Sequence, residues 1–301
     1  MQRCAEIYKK LRNTFRFLLG NLNGFDPKRD RIAEAELLPL DRYMLARTRE
    51  LTENILGWYE RFEFHRVYHA VNEFAIVDLS AFYLDVLKDR MYTFAPTSHE
   101  RRSAQTVLWQ ITETLVRLVA PILSFTADEV WEYLPAVEGR EASVHLAKFP
   151  APAEIFSEDP TELFEEWKVL LAVRDEVLRE LEEDRKKKLI GKSLEARVQI
   201  VANSGLRDLL RRYDSSLKEM LNVSQVEVVS TIVESISPTM NRVGFVQDGR
   251  INIVVGPASG HKCARCWNFM PEVSNYGIWQ NVCTRCQDAL KEMKIAPPAA
   301  T

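Results

Sequence analysis

No apolar run in these 301 residues reaches the roughly 18 that a membrane-spanning helix requires. Residues 1–17 alternate charge with apolar side chains, so they lack the uninterrupted apolar segment of a secretory signal. The chain is therefore expected in the cytoplasm, with no membrane partner. It also lacks an excess of either charge. Lys and Arg total 40 and Asp and Glu total 43, a formal net charge of −3. That excludes a globally basic nucleic-acid binder and confines any nucleic-acid surface to a local patch. No G-x-S-x-G elbow and no G-x-G-x-x-G loop is present. Ile190-Gly191-Lys192-Ser193 has the ending of a phosphate-binding loop, but Lys186 stands where its first glycine is required. His65 and His69 are four apart, yet Arg66-Val67-Tyr68 between them carries no glutamate for metalloprotease chemistry. The acidic run 180–184 reads as a solvated helix face. There is no internal repeat and no low-complexity tract, and nothing assembles an active site.

What is present suits a soluble globular protein: 46% hydrophobic and 28% charged residues. The length predicts two or three domains. Through residue 150 the periodicity is helical, with helices expected over 4–20, 40–62, 64–90, 99–120 and 124–134, and strand signals are lacking. Pro121 interrupts the fourth pattern, since proline has no N–H to donate. Five punctuating residues (Pro135, Gly139, Pro150, Pro152, Pro160) mark a joining segment. A long charged helix follows over 161–189. Alternating segments at 196–202 and 225–230 flank a helix over 205–221. A hairpin is expected from 243–246 and 250–255, turning at Gln247-Asp248-Gly249. The reading is mainly α: residues 1–150 a helical bundle, 151–256 a long helix with a small α/β unit, 257–290 a four-cysteine zinc ribbon or finger, and 291–301 a disordered tail.

The strongest motif lies in that third segment. Cys263-x-x-Cys266 is followed, after sixteen residues, by Cys283-x-x-Cys286. In a reducing compartment this pairing argues for metal, and its spacing is that of two knuckles closing on one tetrahedral zinc. Four thiolates leave no open coordination position, so one structural Zn2+ is predicted. The rival readings are unliganded thiols, a redox pair, or His261 as a ligand. The fifth cysteine, Cys4, reads as an ordinary helix residue. Lys262, Arg265 and Arg285 flank the ligands, and Trp267 follows Cys266 directly. The cations can meet phosphates or counter the thiolates; the indole can stack on an unpaired base or pack on a small core.

Several blocks resemble the class I synthetases for isoleucine, valine and leucine, most specifically the C-terminal part of bacterial isoleucyl-tRNA synthetases. Residues 12–22 (RNTFRFLLGNL) look like the opening helix of their anticodon-binding domain, and 82–92 (FYLDVLKDRMY) and 121–131 (PILSFTADEVW) resemble two later blocks. Arg174-Asp175-Glu176-Val177 and 190–196 (IGKSLEA) continue the match, and Lys262-Cys263-Ala264-Arg265-Cys266-Trp267 resembles their terminal zinc module. The likeness spans nearly the whole chain. It implies binding of the anticodon stem-loop of isoleucine tRNA by a monomer, with no DNA partner. The HIGH and KMSKS signatures that handle ATP are missing, so ATP belongs to a catalytic domain outside this sequence. The chain by itself is expected to be inactive.

Arg12, Asn13 and Arg16 are the expected anticodon contacts in the first helix, with Arg12 and Arg16 one turn apart on one face. The competing reading pairs the arginines with neighbouring carboxylates. Two other classes share the zinc motif: a zinc-stapled interaction or general nucleic-acid-binding module, and a DNA-repair glycosylase. The glycosylase needs a proline after the initiator Met, and Gln2 stands there.

Overall fold

The computed structural model describes residues 2–231, 242–246, 249–273 and 278–297. The expected turn residues Gln247 and Asp248, and the last four residues of the tail, lie outside them. The described chain is mainly helical with a small sheet, and none of its helices is long and apolar enough to cross a membrane. It divides into two compact units. One holds residues 1–91 and 97–160; the other holds 92–96 and 161–301.

The first unit contains α1 (Gln2–Asn21), α2 (Pro39–Glu60), α3 (Phe64–Glu73), α4 (Leu84–Val86), most of α5 (Lys88–Thr93), α6 (His99–Val119), α7 (Ser124–Tyr133) and the short α8 (Pro152–Ile155). Pro39 opens α2, where a missing N–H costs nothing. The Ser98 hydroxyl caps α6 by accepting from the Arg101 N–H. Helix α6 is the axis of the unit: Ala104, Val107, Leu108, Ile111, Val116 and Leu118 have no exposed surface. A buried carboxylate on α2 ties that helix to three other helical elements. Asp41 accepts from the Tyr83 hydroxyl (2.7 Å), the Arg90 guanidinium (2.8 Å) and the Ser103 hydroxyl (2.5 Å). The single helix expected over 64–90 is instead α3, a π-helical stretch Phe74–Tyr83, α4 and α5. The wider turn keeps Phe74, Leu79 and Tyr83 buried on one side, and the Ser80 hydroxyl donates five residues back to the Ala75 carbonyl.

The second unit is built on α9 (Thr161–Lys186) and a four-stranded sheet. Its strands are β1 (Ala196–Val201), β2 (Gln225–Val229), β3 (Arg242–Val246) and β4 (Gly249–Pro257), in the order β2-β1-β4-β3. Strand β1 runs parallel to β2 and antiparallel to β4. Its two central positions explain its reading as Arg-Val-Gln-Ile-Val: Val198 and Ile200 are sealed on one side, and Gln199 is buried on the other against Glu227. A parallel pair needs a crossover, supplied here by α10 (Ser204–Arg212) and α11 (Asp214–Leu221). The helix expected over 205–221 breaks at Tyr213, whose hydroxyl bonds to Glu166 on α9 while its ring meets Trp167 edge-on at 5.8 Å. The expected hairpin is β3–β4. The chain then forms β5 (His261–Lys262), β6 (Phe269–Met270) and α12 (Thr284–Glu292).

Candidate metal centre and nucleic-acid faces

The four distal cysteines converge. Their sulfurs all lie within 4.8 Å of one another, and all four residues are buried. The first knuckle joins β5 to β6. Its turn is closed by the Trp267 N–H donating to the Cys263 carbonyl (3.0 Å) and the Cys263 N–H donating to the Asn268 carbonyl (2.9 Å). Gly260 makes the approach possible: a Cβ there would sit 2.4 Å from Met270 backbone atoms, and its φ is +91°. The second knuckle is not a ribbon strand. Cys283 is the N-cap of α12, so Cys286 stands in the first turn of a helix, whose positive end favours a thiolate.

One sulfur–sulfur distance is that of a tetrahedral site. Metal–sulfur bonds of about 2.3 Å at the tetrahedral angle put sulfurs roughly 3.8 Å apart, and Cys266 Sγ lies 3.8 Å from Cys283 Sγ. The Cys283 N–H donates to Cys263 Sγ at 3.3 Å, an N–H aimed at a ligating sulfur. Crowding splits the thiols. Hydrogen bonds from Cys266, Cys283 and Cys286 hold the Cys263 thiol far below its ordinary range, and Cys263, followed by Cys266, pushes the Cys283 and Cys286 thiols upward. Four thiolates cannot share this space without a cation between them. Around the sulfurs, Val273, Trp279, Val282 and Leu290 form a small apolar cluster, with Met270 and Met293 packed against it.

The residues flanking the cysteines take two different roles. Arg265 donates to the Thr93 and Tyr92 carbonyls. Arg285 donates to the Thr93 hydroxyl and stacks over the Phe94 ring at 4.1 Å. One arginine from each knuckle thus grips the segment 92–96, a partnership that no periodicity could announce. Lys262 and Trp267 remain on the surface, and Lys192 joins them: each lysine ammonium stands 5.7 Å from the Trp267 ring centre. The turn that resembled a phosphate loop is filled by its own carboxylate. Glu195 accepts from the Gly191 N–H (2.8 Å) and the Lys192 N–H (3.2 Å).

In the first unit, α1 and α7 enclose a groove of about 320 Å³ whose lining includes Arg12, Arg16, Phe15, Glu129 and Tyr133. Arg12 pairs with Glu129 at 3.2 Å, and both side chains are about half exposed. Arg16 is exposed and forms no ion pair among the described residues; Asn13 is exposed beside it. The sequence offers no signal for Glu129 or Tyr133 as partners in this groove, because they lie more than a hundred residues away.

The chain is similar to known proteins over nearly its whole length. Residues 41–200, just over half of the chain, match the family model described as the anticodon-binding domain of tRNA ligase. The chain is 42% identical over 295 residues to the isoleucine–tRNA ligase of Staphylococcus carnosus, covering 97% of this chain and 30% of that protein. It is 41% identical over 293 residues to that of Syntrophotalea carbinolica, with 97% and 30% covered. For Natranaerobius thermophilus the identity is 39% over 293 residues, with 97% and 31% covered. The chain spans about 30% of the length of these relatives. It belongs to the family that carries the anticodon-binding domain of tRNA ligase.

Proposed function

We propose that this chain is the tRNA-holding part of an isoleucine–tRNA ligase and that it grips the anticodon stem-loop of isoleucine tRNA through the face of α1. The observation that carries this reading is the arginine-bearing groove between α1 and α7 in a chain of this family. Arg16 is free to meet a phosphate. The Arg12–Glu129 pair is half exposed and worth at most about 1 kcal/mol, so a phosphate can take the guanidinium over. Asn13 offers an amide to a base edge, and Tyr133, largely exposed at the groove's wall, offers a ring for stacking. The ATP-dependent joining of isoleucine to tRNA belongs to sequence beyond the stretch matched here. The chain works in the cytoplasm, where its thiols stay reduced.

The four cysteines hold one zinc ion as a structural cross-link. Zinc fits the donor set: four soft, buried sulfurs within 4.8 Å of one another, one pair at the 3.8 Å of a tetrahedral site. When bound, the ion joins two knuckles that have almost no core of their own. The groove is tested by equilibrium titration with isoleucine tRNA, valine tRNA competing, at two salt concentrations. Preferential, salt-sensitive binding is expected, and R12A/R16A should weaken it and reduce the salt slope by about two. Unchanged affinity and slope in that variant would remove the α1 face from the reading. Metal analysis of the purified protein should return one zinc per chain; folded protein without metal would remove the zinc.

A further inference from the structure

His65 and His69 stand outside both the cysteine quartet and the α1 groove. Both lie in α3, an α-helix over Phe64–Glu73, one turn apart. That spacing places the two side chains on one helix face, with Cβ atoms roughly 5–6 Å apart. Val67 and Val71, 0% and 2% exposed, fix the opposite side of the helix in the core of the first unit. Both imidazoles are exposed, and neither forms a hydrogen bond or an ion pair among the described residues. The His69 ring meets the Tyr68 ring edge-on at 5.4 Å. Arg61 and Arg66, cations close to the pair in sequence, both turn to Glu63.

Two histidines one turn apart on a packed helix are a chelate. The backbone between them is already ordered, so closing on an ion restricts only two side chains. Imidazole nitrogen suits divalent ions of the first transition row, with affinity rising from Mn2+ through Co2+ to Ni2+. Among the described residues only the cysteine quartet brings three or more ligand atoms together, so no third side chain stands with the pair. Water takes the remaining coordination positions. Two nitrogens hold an ion far less tightly than four thiolates, so the ion exchanges with solution and leaves the count of one zinc after dialysis unchanged. Arg66-Val67-Tyr68 between the histidines supplies no general base, so the pair binds metal without hydrolytic chemistry.

We propose that His65 and His69 form a second, exchangeable metal site on α3, for a divalent transition-metal ion bound through two imidazoles and open to an external donor at its other positions. The site is independent of tRNA binding, since it needs only the exposed face of α3.

The test is a calorimetric titration of the intact metal-loaded chain with Ni2+, Co2+ and Mg2+, repeated on H65A, H69A and H65A/E73H. The parent should take up one Ni2+, bind Co2+ more weakly and leave Mg2+ in solution. Each single variant should lose on the order of tenfold or more in Ni2+ affinity, because a lone imidazole forfeits the second, intramolecular contact. Glu73 is exposed one turn beyond His69, so Glu73→His in the H65A background restores the spacing and should restore the affinity. Metal content before titration and melting temperature should stay at the parent's values in all three variants, since only exposed side chains change. Ni2+ binding that persists undiminished in H65A and H69A would place the ion elsewhere and overturn the site. A parent that binds no Ni2+ would overturn it as well.

Discussion

Single residues carry the sharpest tests of how the fold is held. Asp41 is wholly buried among Tyr83, Arg90 and Ser103, and Arg90 is itself 3% exposed. Removing one partner of a buried pair strands the other charge. Asp41→Ala should therefore cost about 3–5 kcal/mol, read as a fall in the urea midpoint. Ser103→Ala, which removes a neutral donor, should cost about 1 kcal/mol in the same experiment. Asp30 gives a pH-dependent case. A hydrogen bond from Arg29 holds its carboxyl down at about 2, against an ordinary value near 3.8, with the Arg102 guanidinium 3.2 Å away adding to the effect. Because the folded value is depressed, the stabilisation is fully present above the unfolded value and drains away as pH falls from about 4 toward 2. Asp30→Asn should flatten that acid limb in a stability-against-pH series. A limb that keeps its slope would mean that other carboxylates set it.

At the scale of elements, the two knuckles and the segment 92–96 form one system. Arg265 and Arg285 reach that segment only while the knuckles are closed, since each arginine lies within or beside a Cys-x-x-Cys turn. Chelating the metal should speed amide hydrogen exchange through β5, β6, α12 and residues 92–96 together, while α6 keeps its protection. R265A/R285A should loosen residues 92–96 alone and leave the metal content unchanged. Gly260→Ala would force a Cβ onto the Met270 backbone at a positive φ, so it should weaken metal retention against a competing chelator. The elements also show where periodicity stops being informative. The boundaries of α1, α2, α6 and α7 follow from apolar spacing and from punctuation such as Pro121. The π-helical stretch Phe74–Tyr83 and the break at Tyr213 do not, because each is set by a partner elsewhere: packing around Phe74 and Tyr83 in one case, Glu166 in the other.

For the whole molecule, a net charge of −3 means that tRNA binding must be local and cannot draw on a general cationic field. The measured salt slope should then approximate a small number of named contacts, and it should fall stepwise as Arg12 and Arg16 are removed. Each of the two compact units has a core of its own, so mild chelation should lower thermal protection in the second while the helical first unit melts as before.

The sequence by itself determined the family, the helical character of the first half, the small sheet of the second and the cysteine quartet. Each of these is written in local spacing: turns of 3.6 residues, alternation of two, and ligands three apart. Only the tertiary structure decided what the flanking charges do. Arg265 and Arg285 sit beside the cysteines exactly as Lys262 does in sequence terms, yet they turn inward to residues 92–96, more than 170 positions away. Lys192 carries no signal of its own and gains one only when β1 and the knuckle bring it to Trp267. Spacing along the chain specifies which groups a turn or helix presents, whereas the partner that meets each group depends on distances that only packing sets.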